Sequence, residues 1–523
     1  MATNDEKGYE VASQNSGSEK ERDNVENGTA PVFINQDVAN LTQEHRDYLM
    51  QRHGTLDLDP IPSADPADPY NWPQWKKVTN LACVAFHAMM TTFIASAIIP
   101  AYESISEDLG VSIHRTSYLT SLQIAILGWA PLFWKPIANR YGRRPVWLIS
   151  TLGALAFNIG CANSNDYATM AICRAFCAFF ISPPGGTGSG VVTETFFKKE
   201  RATYVGMWTL LVTFGPPGGP FFMGFVVYHT GDYRWIYWIL AIVNGVQFIT
   251  YLFLGPETLY MRNAVRHNVS AFKQEYLNFK RIDPTPFKPF EFIQPLFLFR
   301  YSSIWVPTIA YSIVFGFCSV LLTVEIPQLF LPKFELNPQE LGLQFLGILI
   351  GLVIGEQVGG RISDLWMNKR TQKLGRRPAP EYRLWLSYIG FVLAMVGLIV
   401  FSVRLQQAKQ GVWNITPVIG IAISAVGNQI VTTVLVTYAI DSYVEHSSSI
   451  GVFINVVRST WGFIGPFWFP DMEATLGSSG SGGLMAGLIF VVSIIPIAIL
   501  QWRKSSRGAG VPAAEGQGAV VPR

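Results

Sequence analysis

Apolar residues in this chain gather into runs of membrane length instead of alternating with polar ones. The runs fall at 78–100, 117–138, 146–163, 167–192, 202–227 and 235–254, then at 302–326, 340–361, 383–403, 414–438, 449–469 and 484–502. About twenty apolar residues, at roughly 1.5 Å per residue in a helix, cross the ~30 Å hydrocarbon core of a bilayer. The pattern therefore predicts an all-α integral membrane protein with twelve transmembrane helices in two pseudo-symmetric six-helix bundles, at 78–254 and 301–503. A polar stretch at 255–300 reads as a cytosolic linker loop, and 504–523 as a cytosolic tail. Residues 1–77 are rich in Asn, Ser, Glu and Asp without sustained periodicity, which predicts a disordered cytosolic N-terminal tail.

Composition agrees with the pattern. Hydrophobic residues make up 49% of the chain and charged ones only 14%, where a soluble protein carries about a quarter charged. The polar N-terminus lacks the apolar core of a signal peptide. All five cysteines fall in apolar stretches and read as small buried hydrophobes; no His or Cys pair has metal-ligand spacing in a polar context, so no metal is expected. With the N-terminus inside, the inner loops hold nineteen Lys and Arg and the outer loops five. That bias places both termini in the cytosol. Trp72 and Trp75 suit the membrane interface, with Lys76 and Lys77 at the cytosolic headgroups.

Three patterns carry chemistry. The fifth run holds Gly206, Gly215, Gly219, Pro220 and Gly224 within one span. In water such a helix is weak, but in a bilayer glycines let two backbones approach closely, so the segment reads as a hinge or packing seam. The loop after the second run contains Arg140, Gly142, Arg143 and Arg144. The loop after the eighth begins with Gly360 and Asp364 and closes on Gly375-Arg376-Arg377-Pro378. Repetition at the same topological position in each half signals a repeat transporter with its substrate site between the halves. Ionisable groups inside spans form the third pattern: Arg174, Glu325, Glu356 and Arg458, where a buried charge needs a partner or a wet cavity. Glu356 lies one step round from the stripe Gly347, Gly351, Gly355 and Gly359. His87, Asn428, Gln429 and Asn455 are further polar groups placed to line a cavity, or to satisfy neighbouring helices. The run 183–190 lacks the Gly-Lys-Ser/Thr of a phosphate loop, and no nucleophile has a base partner. Coupling to an ion gradient is expected, and no enzymatic activity.

From about Asp65 to Arg503 the chain resembles the major facilitator superfamily, and more narrowly the fungal drug:proton antiporters with twelve spans. The family's loop motif falls on 135–144, with Lys135 in place of glycine and Asn139 in place of aspartate. The resemblance implies that Arg140, Gly142, Arg143, Arg144, Gly360, Asp364 and Arg376 form a cytosolic latch. It implies that Gly206, Gly215, Gly219, Pro220 and Gly224 are the antiporter motif, with Met223 replacing one glycine. Pro256-Glu257-Thr258 followed by Arg262 matches the motif closing the sixth span. Arg174 stands at the family's fourth-span arginine, linked there to proton coupling, while the usual nearby glutamine is Cys177.

These observations lead to one expectation: proton-coupled export of small amphipathic organic compounds (drugs, toxins or fungal metabolites) by alternating access. The coupling candidates are Arg174, Glu325 and Glu356, driven by the proton gradient without a cofactor. Import of cationic nutrients such as polyamines is the alternative. The expected partners are a small-molecule substrate and the lipid bilayer, with no nucleic acid, for a monomer in the plasma membrane or a vacuolar or vesicle membrane.

Overall fold

In the computed structural model, the residues described are 41–261, 271–374, 379–443 and 447–508, and every regular element among them is helical. Residues 41–64 belong to a first unit built on the helix Gln43–His53. The Thr42 hydroxyl accepts from His45 N at its start, and Gly54 at φ 70° closes it. From Asp65 onward the chain is a second unit.

Within that unit, residues 65–77 form a strap. Trp72 Nε1 donates to Glu275 Oε1 at 2.9 Å, Lys76 pairs with the same carboxylate, and Lys77 Nζ donates to Tyr70 O at 2.8 Å. Over 41–77 the structure thus corrects the expectation of a disordered tail. A polar composition hides order that comes from caps and from partners about two hundred residues away in sequence.

Twelve long helices follow in the expected order. They are α1 Gln74–Ser96, α2 Ile113–Tyr141, α3 Arg143–Ala162, α4 Tyr167–Thr195, α5 Lys198–Thr230 and α6 Arg234–Leu254, then α7 Ser302–Val324, α8 Pro338–Leu374, α9 Trp385–Gln407, α10 Thr416–Ser442, α11 Ser447–Ile464 and α12 Phe469–Arg503, the last broken at Gly477, whose φ is 66°. All but α2 and α11 are long and apolar enough to cross a membrane. Pro131, Lys135 and Pro136 interrupt α2, and the 18-residue α11 carries Arg458. Caps fix the boundaries: Ser112 for α2, Asp166 for α4, and a reciprocal Asn337–Glu340 capping box for α8. The α2–α3 corner needs Gly142, whose φ is 101°.

Burial is inverted relative to a water-soluble protein. On α6, Ile242, Val246, Ile249 and Phe253 are 55–70% exposed, while Asn244, Gln247 and Tyr251 are buried on the opposite face. Spacings of three and four residues put the exposed set on one stripe. A lipid-facing stripe with polar groups turned inward is what a bilayer demands.

In the first half α1 packs on α5, and α3 on α4 and α6; in the second, α10 packs on α7, α8 and α9. Glycines set these approaches. A Cβ on Gly351 would lie 2.8 Å from Ala425 Cβ, and one on Gly427 2.6 Å from Gly390 O. The halves meet chiefly along two seams, α2 on α11 and α5 on α8. Exchanging the halves turns one seam into the other, since the second helix corresponds to the eighth and the fifth to the eleventh.

Candidate functional site

The four glycines picked out by the sequence pattern in α5 divide into three groups by what they touch. A Cβ on Gly215 would lie 2.6 Å from Met89 O, and one on Gly219 2.8 Å from Phe93 O, both in α1 of the same half. A Cβ on Gly224 would lie 2.6 Å from Pro338 O and 3.1 Å from Gly342 Cα, across the seam in α8. Pro220 contributes to the same crossing, its carbonyl 2.9 Å from where a Cβ on Gly342 would sit. Gly206 has nothing within 4 Å.

Arg174 is fully buried inside the first half, at 0% exposure. Its guanidinium donates to Gln123 Oε1 at 2.8 Å, Ala95 O at 3.1 Å, Leu119 O at 3.3 Å and the Tyr237 hydroxyl at 3.3 Å. Gln123 returns a bond to Arg174 O at 3.1 Å. Every one of these acceptors is neutral, so α1, α2 and α6 hold a buried charge by hydrogen bonds alone. The amide absent at Cys177 is supplied by Gln123 of α2. A polar side chain in an apolar span was the signal for it.

The α2–α11 seam is polar along its length. Lys135 Nζ donates to Ser449 Oγ at 2.8 Å, Asn455 Nδ2 to Leu127 O at 2.9 Å and Trp129 Nε1 to Thr460 Oγ1 at 3.0 Å. His114 meets Pro466 O at 3.2 Å, and Tyr118 stacks on Phe467 at 4.5 Å. Arg458, half-buried on α11 beside this seam, finds its partners within the second half. It donates to Asn455 Oδ1 at 2.9 Å and to the Tyr311 hydroxyl at 3.1 Å, and sits 5.0 Å from the Phe315 ring centroid. Asn455 and Arg458 are thus brought together where the halves meet.

The remaining polar candidates lie apart from them. Glu356 accepts from Gln429 Nε2 at 2.7 Å and Thr433 Oγ1 at 3.0 Å, joining α8 to α10 beside the glycine stripe. Asn428, on the next position of α10, is buried and its Oδ1 has no partner among the described residues. His87 lies in the core of the first half at 0% exposure, one ring nitrogen 3.1 Å from the Tyr251 hydroxyl and the other 3.1 Å from Ser150 Oγ. It is enclosed there by α1, α3 and α6, a core residue and not a cavity-lining one. Glu325 follows α7 directly and is 3% exposed, accepting from Gln328 Nε2 at 2.6 Å.

Two basic clusters occupy the helix ends. Arg140 Nη2 donates to Glu291 Oε1 at 2.6 Å, and Arg143 Nη2 to Glu194 Oε1 at 2.8 Å. Arg144 donates to the carbonyls of Gly255 at 2.7 Å and Leu252 at 3.1 Å, at the end of α6. Glu257 closes the cluster: its carboxylate accepts from the backbone N–H of Arg143 at 2.8 Å, Arg144 at 2.9 Å and Leu259 at 2.8 Å. Burial pushes this carboxyl above the ordinary carboxylate range, against the pull of those donors. A Cβ on Gly142 would lie 2.7 Å from Glu257 Cδ, so glycine is needed here on two counts.

In the second cluster Asp364 pairs with Arg383 at 3.0 Å, and Arg383 also donates to Ser363 Oγ at 2.8 Å and lies 3.8 Å from Asp441. Arg376 and Arg262 lie outside the described residues. The basic partner of Asp364 is therefore one that motif matching passed over, although Arg383 counts among the inner-loop charges. Gly360 sits one turn before Asp364, and a Cβ on it would meet only Glu356 Oε1, at 3.6 Å.

The family model of the Major Facilitator Superfamily matches residues 81–466. Among curated relatives, the efflux pump radE of Floropilus chiversii is 26% identical over 83% of this chain and 81% of its own length. The MFS transporter cpaT of Aspergillus oryzae is 27% identical over 83% of this chain and 88% of its own. Among solved structures, a peptide transporter POT in complex with alafosfalin superposes with a TM-score of 0.60 at 15% identity, over 83% of this chain and 96% of that one.

Proposed function

This chain belongs to the Major Facilitator Superfamily, and we propose that it exports small amphipathic organic compounds in exchange for protons, by rocking of its two halves. The chain is a secondary transporter, not an enzyme. The export direction is supported by relatives named as efflux pumps. Inner-loop basic charge supports cytosolic termini, and the plasma membrane is the proposed location.

One observation carries the substrate class: beside the seam between the halves, Arg458 sits among Tyr311, Phe315 and Asn455, with neutral partners. A guanidinium beside aromatic rings favours planar compounds bearing carboxylate, carbonyl or phenol oxygens. Lys135 on the same seam adds positive charge and opposes polyamine import. In the proposed cycle a proton taken up outside displaces the substrate, and proton release to the cytosol resets the site. Arg174, Glu325 and Glu356 are the coupling candidates. Arg174 would act by field and position, since a guanidinium keeps its proton.

The test is proton movement in inside-out vesicles under an imposed acid-inside gradient. Substrate-dependent proton efflux, weakened by Arg174→Ala or Glu356→Gln, is expected with aromatic acids and related compounds. Proton movement in the same direction as polyamines, with none for aromatic compounds, would replace export by import.

A further inference from the structure

The linker between the halves turns its apolar side chains outward. Phe290–Ile293 is helical and Gln294–Arg300 continues it as a tighter helix, just before α7. Phe290, Ile293 and Phe297, at spacings of three and four, are 43%, 47% and 50% exposed and share one stripe. Phe287 and Phe299 are exposed beside it. On the opposite side Pro295 and Leu298 are buried, and the Glu291 carboxylate is turned onto Arg140 at 2.6 Å.

The contacts of the inner side set the depth of this segment. The Phe292 ring lies 6.1 Å from Phe133 of α2, and the Phe299 ring stands edge-on to Phe453 of α11 at 4.7 Å, between centroids. Phe133 comes eight residues before the end of α2 and Phe453 six after the start of α11. At 1.5 Å per residue those positions are about 12 and 9 Å inside the helix ends. The segment therefore crosses one end of the α2–α11 seam at the level where an amphipathic helix rests, its apolar face about 5–10 Å into the boundary of headgroups and acyl chains. Lys288 precedes the stripe and Arg300 follows it, both exposed. No ion pair among the described residues engages either of them. Glu291 is the only carboxylate between Phe287 and Arg300, and Arg140 holds it.

We propose that residues 287–300 form an anionic-lipid-binding brace on the inner leaflet. The rings enter the acyl layer, and Lys288 and Arg300 hold the phosphate and carboxylate of anionic headgroups. Charge and depth select this occupant. The cytosolic leaflet is negatively charged, and each nearby Lys or Arg strengthens attachment to it about fivefold. A second copy packed two-fold on this face would set like cations against like, and a soluble partner would have to reach rings that lie below the headgroups. Because the brace touches α2 of one half and α11 of the other, lipid held there acts on the seam along which the halves rock. Assignment to the inner leaflet rests on the cytosolic orientation proposed above; the lipid contact itself does not.

Photo-crosslinking of the purified full chain in nanodiscs tests the contact, with phosphatidylserine and phosphatidylcholine probes that carry the same photoreactive group beside the headgroup. Nanodiscs offer one lipid mixture to both faces, so the result does not depend on orientation. Peptides spanning 287–300 are expected to be labelled in preference by the phosphatidylserine probe. Lys288→Ala combined with Arg300→Ala should reduce that preference about fivefold for each charge removed, whereas Lys288→Arg with Arg300→Lys should keep it. Both side chains are exposed, so an unchanged unfolding midpoint is expected for both double variants. Equal labelling by the two probes in the wild type, or a preference unchanged in the double alanine variant, would overturn the headgroup contact. Absence of lipid label on 287–300 would overturn the proposal outright, and crosslinks between copies there would assign the face to a second chain.

Discussion

Replacing Gly224 by alanine should disturb transport while sparing the fold, in contrast to two other glycines of the same helix. The added Cβ would lie 2.6 Å from Pro338 O and 3.1 Å from Gly342 Cα. Ordinary contact begins near 3.4 Å, so α5 and α8 must part there by about 0.8 Å. Both obstacles are backbone atoms, which cannot swing aside. Overpacking of this kind costs about 1–3 kcal/mol, and only the conformation in which this crossing is closed bears it. The balance between conformations then shifts by about 5–150-fold.

Gly215 makes the control. Its Cβ would press on Met89 O at 2.6 Å and Phe93 N at 3.0 Å, inside one half. That penalty falls on every conformation, so Gly215→Ala should lower thermal stability. Gly206 has open space around it, and alanine there should gain about 1 kcal/mol of helix propensity. Initial flux in proteoliposomes and unfolding temperature in detergent, measured for all three variants, decide the matter. Equal stability losses at Gly224 and Gly215 with unchanged flux, or flux abolished at Gly206, would refute the reasoning.

Arg174→Ala should leave Gln123 Oε1, Ala95 O and Leu119 O without their donor, at roughly 1–3 kcal/mol for each buried acceptor left unmet. Its unfolding midpoint should fall well below wild type, with Arg174→Lys between the two. Arg458→Ala should weaken binding of carboxylate-bearing compounds by about 1.5–3 kcal/mol, the range of a hydrogen bond to a charged group, and spare their neutral esters; isothermal titration with acid and ester pairs reads the difference. Asp364→Asn should change stability by no more than about 1 kcal/mol because Asp364 is 56% exposed. Arg383→Ala, removing a side chain only 8% exposed that also serves Ser363, should lower the melting temperature further.

The helices were legible because each is announced by a single statistic, a run of apolar residues of membrane length, and the bilayer leaves the backbone little choice but to satisfy itself. Partners across the fold were not. Arg174 could be flagged from its place in an apolar span, yet nothing local to it points to Gln123, fifty-one positions away. The Thr42-capped helix and the 65–77 strap were missed for a related reason: low hydrophobicity argues for disorder only when no partner waits elsewhere in the chain.

The two basic clusters show why motif agreement and physical strength part company. The first copy departs from the family pattern at Lys135 and Asn139, whereas the second keeps Gly360 and Asp364. In the structure the departures have uses of their own. Lys135 reaches across the seam to Ser449, and Asn139 Oδ1 accepts from Arg143 Nη1 at 2.8 Å. All three arginines of the first cluster are buried and bonded, two of them with a carboxylate partner, while the better-matched Asp364 is half in the open. A buried charge network resists the loss of one member more strongly than an exposed pair does, because each group left behind stays desolvated. The first half and the linker are thereby bound into one block through Glu257, Glu275 and Glu291. The Asp364–Arg383 pair joins α8 to the start of α9 through a contact that water can reach. If the halves rock, the cheaper contact to break at this end is the one whose sequence agrees best with the family.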